Sequence, residues 1–245
     1  MSWHVSMQFS LGSLTLSVDI PGGDEPLALI GPNGSGKTTL LRAVAGAFTP
    51  DVGRFQIGSQ VLFDSEQQID LVPEDRGVGY VPQGYGLFPH LRVLDNVAFG
   101  LRSKLAQTER RMLALKKLEE IGYSEIAHRW PATLSGGERQ SVALARTLIT
   151  EPSFLLLDEP FAALDVSARR TLRGYLAQHL VRCPVPTLMV THDLRDAAAL
   201  GARLIVLEQG RIVQAGSIEE LKAKPVNDFV AEFCHTEVRP TSSSD

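Results

Sequence analysis

The stretch Gly31-Pro32-Asn33-Gly34-Ser35-Gly36-Lys37-Thr38-Thr39 matches the phosphate-binding loop pattern G-x-x-x-x-G-K-[ST]. Apolar residues from Pro26 to Ile30 indicate a strand before it, and the pattern from Leu40 to Gly46 indicates a helix after it. The glycines allow a nest of backbone N–H groups to surround phosphates, and the helix adds the positive end of its dipole. The sequence therefore predicts a nucleoside triphosphate site in which Lys37 contacts the β- and γ-phosphates and the Thr38 hydroxyl ligates Mg²⁺.

Composition limits the class of protein. The chain has 245 residues, 44% of them hydrophobic, which is enough to bury a substantial core. Its formal net charge is −4 and it has no dense basic block, so no nucleic-acid partner is expected. The sequence has no apolar run as long as a transmembrane helix and no secretory signal at its start, which favours a cytosolic protein. Cys183 and Cys234 form no metal-ligand pattern and are expected to be reduced thiols.

The order of predicted elements indicates how the chain is organised. Short strands dominate the N-terminal third, where apolar and polar residues alternate until Pro21-Gly22-Gly23 interrupts the pattern. Further strands are predicted at 54–63 around Gly58, 77–81, 154–157, 187–190, 204–207 and 211–214. Helices are predicted within 89–150, especially from Thr108 to Ile121, and from Ser167 to Leu180. We therefore expect an α/β core at about 1–88 and 151–235, a helical subdomain at about 89–150 and a flexible tail at 236–245.

The second motif is Leu155-Leu156-Leu157-Asp158-Glu159. A run of leucines that ends in two acids is typical of a central strand with carboxylates at its C-terminal end, where open α/β sheets bind ligands. Asp158 suits a role beside Mg²⁺, and Glu159 suits a base that accepts a proton from the attacking water. The pattern is common by itself, so its interpretation depends on the loop at Lys37.

The third motif, Leu134-Ser135-Gly136-Gly137-Glu138-Arg139-Gln140, opens a helical pattern. Ser135 and Glu138 match the S-x-x-E capping box that many ordinary helices carry, which is a purely structural interpretation. That interpretation does not explain the two glycines, since each costs roughly 1 kcal/mol relative to Ala in a helix. Their missing side chains would let an anion approach the bare N–H groups. A second phosphate-recognising element is therefore predicted here.

Together with Gln83, Ala163-Leu164-Asp165 and Thr191-His192-Asp193, these motifs occur in the order and spacing typical of ATP-binding cassette ATPases. The resemblance extends over nearly the whole chain, and the Leu-Ser-Gly-Gly-Glu signature is specific to this family among phosphate-loop proteins. It implies an α/β fold with a P-loop NTPase (RecA-like) core, an antiparallel β subdomain and an inserted α-helical subdomain. It also implies that the chain hydrolyses ATP and uses Mg²⁺.

In this family two nucleotide-binding domains form a head-to-tail homodimer around two ATP molecules. The resemblance implies that Glu159 is the catalytic base and His192 the switch residue at the γ-phosphate, with Gln83 and Lys37 completing the catalytic set. Taken alone, His192 would more often be an ordinary surface or core histidine. The implied Mg²⁺ contacts are Thr38, Gln83 and Asp158. The implied nucleotide contacts are Gly31, Pro32, Asn33, Gly34, Ser35, Gly36, Lys37, Thr38 and Thr39 of one chain, Ser135, Gly136, Gly137 and Glu138 of the other, Asp165 at the dimer contact, and Phe9.

Two positions depart from the family pattern. The family usually has an aromatic residue near the first strand that stacks on adenine. Phe9 is the nearest candidate, although its alternation with Met7 and Leu11 is equally consistent with a place in the core. Ser141 occupies a position where comparable importers usually have Arg. We expect this residue to alter a surface or subdomain contact without abolishing hydrolysis.

The segments around Gln83 resemble solute importers of bacteria and archaea. Val72 to Gln83, Leu87 to Leu91 and Asn96 to Leu101 are most similar to the ATPases for molybdate and tungstate, and close to those for sulfate, ferric iron and polyamines. The resemblance implies two transmembrane permease subunits, a solute-binding protein reached through them, and a peripheral position on the cytoplasmic side of the cell membrane. Leu87, Phe88 and Leu91 are expected either to line the groove for a permease coupling helix or to belong to the subdomain core.

The favoured hypothesis is therefore the ATPase subunit of an oxyanion importer, most similar to those for molybdate and tungstate. We expect the chain to lack the extra C-terminal β-domain that many such ATPases carry. The alternatives are the ATPase of another importer, an exporter, and a soluble cassette ATPase that serves cluster assembly, DNA repair or translation. The signature motif disfavours a phosphate-loop kinase.

Overall fold

The computed structural model describes residues 1–101 and 105–235, and the predicted flexible tail at 236–245 lies outside the described residues. The strands are β1 (Trp3–Leu11), β2 (Leu14–Gly22), β3 (Leu27–Ile30), β4 (Val52–Ile57), β5 (Gln60–Asp64), β6 (Ile69–Asp70), β7 (Val78–Val81), β8 (Phe154–Asp158), β9 (Thr187–Val190), β10 (Arg203–Glu208) and β11 (Arg211–Gly216). The α-helices are α1 (Lys37–Val44), α2 (Val93–Phe99), α3 (Gln107–Glu120), α4 (Gly136–Leu148), α5 (Val166–Arg182), α6 (Leu194–Ala199), α7 (Ile218–Ala223) and α8 (Asp228–His235).

These strands form one continuous sheet in the order β6-β5-β4-β1-β2-β11-β10-β3-β9-β8-β7. Strands β10, β3, β9, β8 and β7 pair in parallel, whereas β2, β1, β4, β5 and β6 pair antiparallel. Every residue of β3, β8 and β9 is buried, as expected for central parallel strands that are covered on both faces. The predicted α/β core with an antiparallel part is confirmed.

The parallel strands bring four predicted site segments to one edge of the sheet. The glycine-rich loop follows β3, Gln83 follows β7, Glu159 follows β8 and His192 follows β9. Parallel strands share a direction, so their carboxyl ends meet at the same edge, which is where open α/β sheets bind ligands. Neighbouring strands lie only about 4.8 Å apart, so side chains at these ends are within reach of one another.

The antiparallel part corrects one sequence prediction. Alternating burial along β1 and β2 agrees with the alternating pattern, but β2 does not stop at Pro21 and continues through Gly22. Trp3 pairs with Gly22 across the two strands, and a Cβ on Gly22 would lie 2.0 Å from Cε2 of the Trp3 ring. Gly22 therefore makes room for a buried indole. Its presence is explained by contact with a residue that is distant in sequence, not by a turn.

Helices α2, α3 and α4 enclose a hydrophobic cluster of their own, which includes Val97, Leu118 and Val142. Asn96 is fully buried at its edge, where its amide donates to the carbonyls of Phe88 at 3.1 Å and Leu91 at 2.9 Å. These hydrogen bonds fasten the chain before α2 to the helix itself. The helix predicted from Thr108 to Ile121 is confirmed as α3. The subdomain boundaries near residues 89 and 150 stay a prediction.

The sequence did not predict β6, α6, α7 or α8. Each of these elements is short, with at most eight residues, so hydrophobic periodicity over a longer window has little to detect. Within residues 1–101 and 105–235, no helix has both the length and the apolar character needed to cross a membrane.

Candidate nucleotide-binding and catalytic site

The glycine-rich loop has an exposed tip and a buried base. Pro32, Asn33 and Gly34 are exposed, whereas Ser35, Gly36 and Lys37 are buried. Gly36 has a φ of 104°, and a Cβ there would lie 2.8 Å from Cδ1 of Leu16. The loop therefore requires glycine both for its backbone conformation and for its close approach to β2.

Lys37 lies inside the curve of this loop. Its Nζ donates hydrogen bonds of 2.8 Å to the carbonyls of both Gly31 and Pro32. Burial lowers the pKa of Lys37, and the negative charges of Glu159 and Asp158 partly oppose that effect. Phosphate oxygens could replace these carbonyls as acceptors, because a charge-assisted hydrogen bond from a buried ammonium to phosphate is favourable.

Asp158 is almost completely buried, with 1% of its surface exposed, at the end of β8. The Thr38 hydroxyl donates to its Oδ1 at 3.2 Å, and the Tyr80 hydroxyl donates to its Oδ2 at 3.4 Å. Burial raises the pKa of Asp158, although the hydrogen bond from Thr38 acts in the opposite direction. The structure thus joins the predicted Mg²⁺ residues Thr38 and Asp158, and adds Tyr80, which the sequence reasoning missed.

Glu159, Gln83 and His192 form a second cluster immediately beside Asp158. Gln83 Nε2 donates to Glu159 Oε2 at 3.1 Å, and His192 Nε2 lies 2.7 Å from Glu159 Oε1. Glu159 has a φ of 51°, a left-handed conformation that is uncommon for any residue except glycine. Its N–H donates to the Val190 carbonyl at 3.0 Å, so the strained residue is held by the end of β9. Strain of this kind is typical of functional positions.

Two contacts that hold the loop and the helix after it were not predicted from the sequence. Arg76 is 1% exposed, and its Nη1 donates to the carbonyls of Ala43 at 3.0 Å and Val44 at 2.8 Å, which end α1. At the other side, the N–H of Gly210 donates to the Ser35 carbonyl at 3.1 Å. Arg76 lies in the segment that resembles importers, and Gly210 lies in the predicted hairpin turn. Only the structure shows that they bind the end of α1 and the Ser35 carbonyl.

The signature motif begins α4, as the sequence predicted, and its capping box is complete. Ser135 Oγ accepts a hydrogen bond of 3.2 Å from the Glu138 N–H, and Glu138 Oε2 accepts one of 2.7 Å from the Ser135 N–H. A Cβ on Gly137 would lie 2.8 Å from Cδ2 of Leu164. The glycine therefore also has a packing role against the segment that precedes α5, which is a second reason for its presence beside the predicted one.

The structure corrects the expectation for Phe9, excludes the surface alternative for Ser141 while its subdomain alternative stays a prediction, and locates Asp165. Phe9 is 3% exposed and packs edge-to-face on Phe48, with ring centroids 5.0 Å apart, so it belongs to the core rather than to an adenine contact. Ser141 is fully buried, and its Oγ donates to the Gly137 carbonyl at 3.0 Å, so it makes no surface contact. Asp165 caps α5 by accepting from the N–H groups of Ser167 and Ala168.

The fold and the loop define a phosphate-loop nucleotide-binding protein of the α/β class. The family described as ABC transporter matches residues 15–162 of this chain. The chain therefore belongs to the ABC transporter family, and the resemblance stated from its motifs is confirmed.

Three curated relatives are similar to nearly the whole chain. The Fe(3+) ions import ATP-binding protein FbpC of Pseudomonas fluorescens is 45% identical, over 89% of this chain and 60% of the relative. The sulfate/thiosulfate import ATP-binding protein CysA of Nitrosomonas europaea is 44% identical, over 94% of this chain and 63% of the relative. The molybdate/tungstate import ATP-binding protein WtpC of Thermococcus kodakarensis is 41% identical, over 92% of this chain and 66% of the relative. The chain thus spans less than two thirds of the length of these relatives.

A solved structure agrees with the fold over a similar extent. It is a dimeric ATP-binding cassette, described as a post-hydrolysis state bound to ADP and Pi, with a TM-score of 0.76 and 28% sequence identity. The match covers 89% of this chain and 98% of that chain. The cassette fold predicted from the motifs is therefore confirmed.

Proposed function

We propose that this chain is the ATP-hydrolysing, nucleotide-binding subunit of an ABC importer. The observation that carries the proposal is the convergence of Glu159, His192 and Gln83 beside the loop of Lys37. Phosphoryl transfer to water needs a cation at the phosphates, a base for the water and a group that contacts the transferred γ-phosphoryl. These side chains supply all three at one edge of the sheet.

In this proposal Lys37 exchanges the carbonyls of its own loop for the β- and γ-phosphates. The carboxylate of Glu159 accepts a hydrogen bond from the attacking water, orients it and takes up its proton as the water oxygen bonds to the γ-phosphorus. The bond from the γ-phosphorus to the bridging oxygen breaks in the same step, and ADP leaves with that electron pair. Gln83 and His192 hold that carboxylate from two sides, at 3.1 Å and 2.7 Å. His192 is 45% exposed at its side chain, so its ring has access to a phosphate that arrives from solvent.

The residues near Lys37 fit Mg²⁺. Thr38, Asp158 and Gln83 offer hydroxyl, carboxylate and amide oxygens, the donors that this hard cation prefers. Among residues 1–101 and 105–235 there is no cluster of three or more His, Cys, Asp or Glu side chains that could enclose a metal. Mg²⁺ usually keeps several waters and is shared between one or two protein oxygens and the phosphates of the substrate, so this donor set suits it. When bound, the ion would neutralise phosphate charge that develops during transfer.

We further infer that two copies of the chain close head to tail, so that Ser135 and Gly137 of one copy contact the γ-phosphate held by Lys37 of the other. Ser135 Oγ accepts from Glu138, which leaves its own proton free to be donated. The resemblance to a dimeric cassette supports this arrangement.

A cleft of about 580 Å³ supports docking on a membrane permease. Phe88, Phe99 and Arg146 line it beside β7, and Arg146 lies over the Phe88 ring at 5.2 Å. Leu87 instead packs into the core, and Leu91 lines a different cleft. We therefore propose Phe88 and Phe99, with Leu87 as support, as the surface for a permease coupling segment, and a peripheral position on the cytoplasmic side of the membrane.

The transported solute is proposed to be an oxyanion, with molybdate or tungstate first. The segment from Val72 to Gln83 is the basis, since it resembles that group of importers most. The relatives named for ferric iron and for sulfate are 45% and 44% identical to this chain, against 41% for the one named for molybdate and tungstate, so both solutes are alternatives.

Hydrolysis is tested first with the purified chain. We expect Mg²⁺-dependent release of phosphate from ATP, and a fall of about 10²- to 10⁴-fold in Glu159→Gln, because the base is lost while the nucleotide contacts stay intact. Glu119→Gln, an exposed acid on α3, is the matched control and should keep wild-type turnover. Full activity of Glu159→Gln would contradict the role of Glu159.

The transport partner is tested by affinity purification of the tagged Glu159→Gln chain, with ATP, from detergent-solubilised membranes of its own host. A stoichiometric multi-span membrane protein is expected, and that complex would then be reconstituted and assayed for molybdate, tungstate, sulfate and ferric iron uptake. Recovery of soluble partners alone, in repeated preparations, would instead support the soluble cassette ATPase.

A further inference from the structure

Two arginines on α5 reach across to the segment that carries His192. Arg169 and Arg173 are four residues apart and therefore lie on the same face of the helix. Arg169 Nη1 donates to Asp193 Oδ2 at 2.9 Å, and Arg173 pairs with Asp196. The first turn of α6 is thus fixed to α5 by two separate ion pairs.

Arg169 makes a further contact through a different nitrogen of its guanidinium. Its Nε donates to the carbonyl of Phe161 at 3.0 Å. Phe161 is completely buried and lies two residues after Glu159. One side chain therefore joins the segment that follows Glu159 to the segment that follows His192.

Both sequence neighbours of His192 are held, although His192 itself is half-exposed. On one side, Thr191 Oγ1 donates to Asp196 Oδ2 at 2.9 Å, and Asp196 is the partner of Arg173. On the other side, Asp193 accepts from Arg169 and from the N–H and guanidinium of Arg195. The backbone at His192 is therefore fixed from two directions.

The ionised form of Asp193 is stabilised by its neighbours. Burial alone would raise its pKa, but the hydrogen bonds from Arg195 and the charges of Arg195 and Arg169 outweigh burial and lower the pKa of Asp193. The carboxylate therefore stays ionised and remains a firm acceptor for Arg169 across the neutral pH range. Asp193, Arg169, His192 and Glu159 all line one cleft of about 270 Å³.

We propose that Arg169 is a positioning residue that sets His192 against Glu159, and that the Arg173–Asp196–Thr191 contacts support it from the other side. This inference rests on the proposed hydrolysis, because it concerns the pair of residues that would act on the γ-phosphate. Among the described residues, Arg169 makes no hydrogen bond to the loop from Gly31 to Thr39. Its loss should therefore impair the chemical step and leave ATP affinity unchanged.

The kinetic test uses Arg169→Met, with Arg170→Met as the matched control, since Arg170 is the neighbouring exposed arginine on the same helix. We expect Arg169→Met to lower kcat by about tenfold or more while KM and ATP affinity stay within about twofold, as for a displaced catalytic group. Arg169→Lys keeps the charge but cannot bond the Phe161 carbonyl and Asp193 as the guanidinium does, so its kcat should lie between those of Arg169→Met and the wild type. Wild-type kcat in Arg169→Met would overturn the inference.

A double mutant separates positioning from a general structural role. In a His192→Ala background, Arg169→Met should lower kcat by less than about twofold, because the residue that it positions is already absent. If the two losses multiply, Arg169 does not act through His192 and the inference is wrong. Asp193→Asn should reproduce the loss and gives a second route should Arg169→Met fail to fold.

A spectroscopic measurement decides the inference even if the chain proves not to hydrolyse ATP. In the chain labelled with [¹⁵N]histidine, the ring signal of His192 is assigned by its disappearance in His192→Ala, among the six histidines of the sequence. We expect Arg169→Met to shift or broaden that signal, and Arg170→Met to leave it in place. A His192 signal that does not respond to Arg169→Met would overturn the inference, whereas absent ATP turnover with a responding signal would contradict only the proposed function.

Discussion

Two helices of this chain begin with glycine-rich motifs, and their N-termini are built in opposite ways. Helix α1 has Gly36 as its N-cap, in a left-handed conformation, without any side-chain cap or acidic residue in its first turn. Helix α4 has Ser135 as its N-cap, with a complete capping box and the carboxylate of Glu138 in its first turn. The first N-terminus therefore leaves its N–H groups available, whereas the second satisfies part of its own.

The difference indicates that the two helix N-termini have different roles in the proposed site. At α1 a buried ammonium and backbone N–H groups favour an anion, and Asp158 lies close enough to favour a cation with it. At α4 the helix start is stable without a ligand, so it suits an element that meets a phosphate only after a second copy approaches. Four tests examine this division, and the first has the largest expected effect.

The first test compares Gly31→Ala with Gly137→Ala. A Cβ at Gly31 would lie 2.0 Å from the carbonyl oxygen of Leu207, a backbone atom, whereas at Gly137 the obstacle is the rotatable side chain of Leu164. We expect Gly31→Ala to lower the free energy of unfolding by about 3 kcal/mol or more. Gly137→Ala also gains up to about 1 kcal/mol of helix propensity, so its change should stay within about 1 kcal/mol. Urea unfolding measures both, and similar losses would contradict the proposed contrast.

The second test removes the cation at α1. Lys37→Met should weaken ATP binding by about 10- to 100-fold, the loss of one or two charge-assisted hydrogen bonds to phosphate. Titration calorimetry of the monomeric chain measures the affinity. Lys116→Met, at an exposed position on α3, is the control and should bind ATP as the wild type does. Unchanged affinity in Lys37→Met would remove α1 from the proposed site.

The third test concerns the cost of keeping Asp158 buried. Because folding raises its pKa, the folded state binds this proton more tightly than the unfolded chain, so stability falls as pH rises above the ordinary value of 3.8 and through the raised pKa. Asp158→Asn should therefore be more stable than the wild type at neutral pH, by about 0.5–2 kcal/mol, while abolishing hydrolysis. The gain should disappear below the ordinary pKa. Urea unfolding from pH 3 to pH 8 measures it, and parallel curves would show that burial of Asp158 costs nothing.

The fourth test changes the cap at α4 and has the smallest expected effect on stability. Ser135→Ala should cost about 1 kcal/mol, because a helix cap is lost. Glu138→Gln keeps the acceptor of the capping box and should change stability by less than about 0.5 kcal/mol. In a Glu159→Gln background with ATP, sedimentation should reveal weaker dimers for Ser135→Ala and undiminished dimers for Glu138→Gln. Dimers that are unaffected by Ser135→Ala would limit this residue to capping.

Much of the site could be predicted because its motifs are local. The loop, the acidic pair Asp158-Glu159 and His192 each follow a strand whose apolar pattern is visible in the sequence, and parallel pairing then brings them to one edge. The capping box at Ser135 depends on residues three apart, so it was also predictable. In each case a few consecutive residues are sufficient to predict the local backbone conformation.

Other features depended on contacts between distant residues. The alternating pattern around Phe9 is consistent with either a core position or a ligand contact. Only its packing on Phe48 assigns it to the core. Tyr80 lies 78 residues before Asp158 in the sequence, and no local pattern indicates their hydrogen bond. Gly137 has one explanation in the sequence, the approach of an anion, and the nearby Leu164 side chain adds a second.

The sequence by itself thus determined the class of fold, and it predicted a phosphate-binding loop and the roles of the acids and the histidine around it. Only the tertiary structure decided how these groups are held: Arg76 at the end of α1, Tyr80 on Asp158, and Arg169 between Phe161 and Asp193. The physical reason is that glycine, proline and hydrophobic periodicity act on the nearest few residues of the backbone. A guanidinium or hydroxyl is instead placed by whichever carbonyl or carboxylate the packing of distant elements brings within hydrogen-bonding distance.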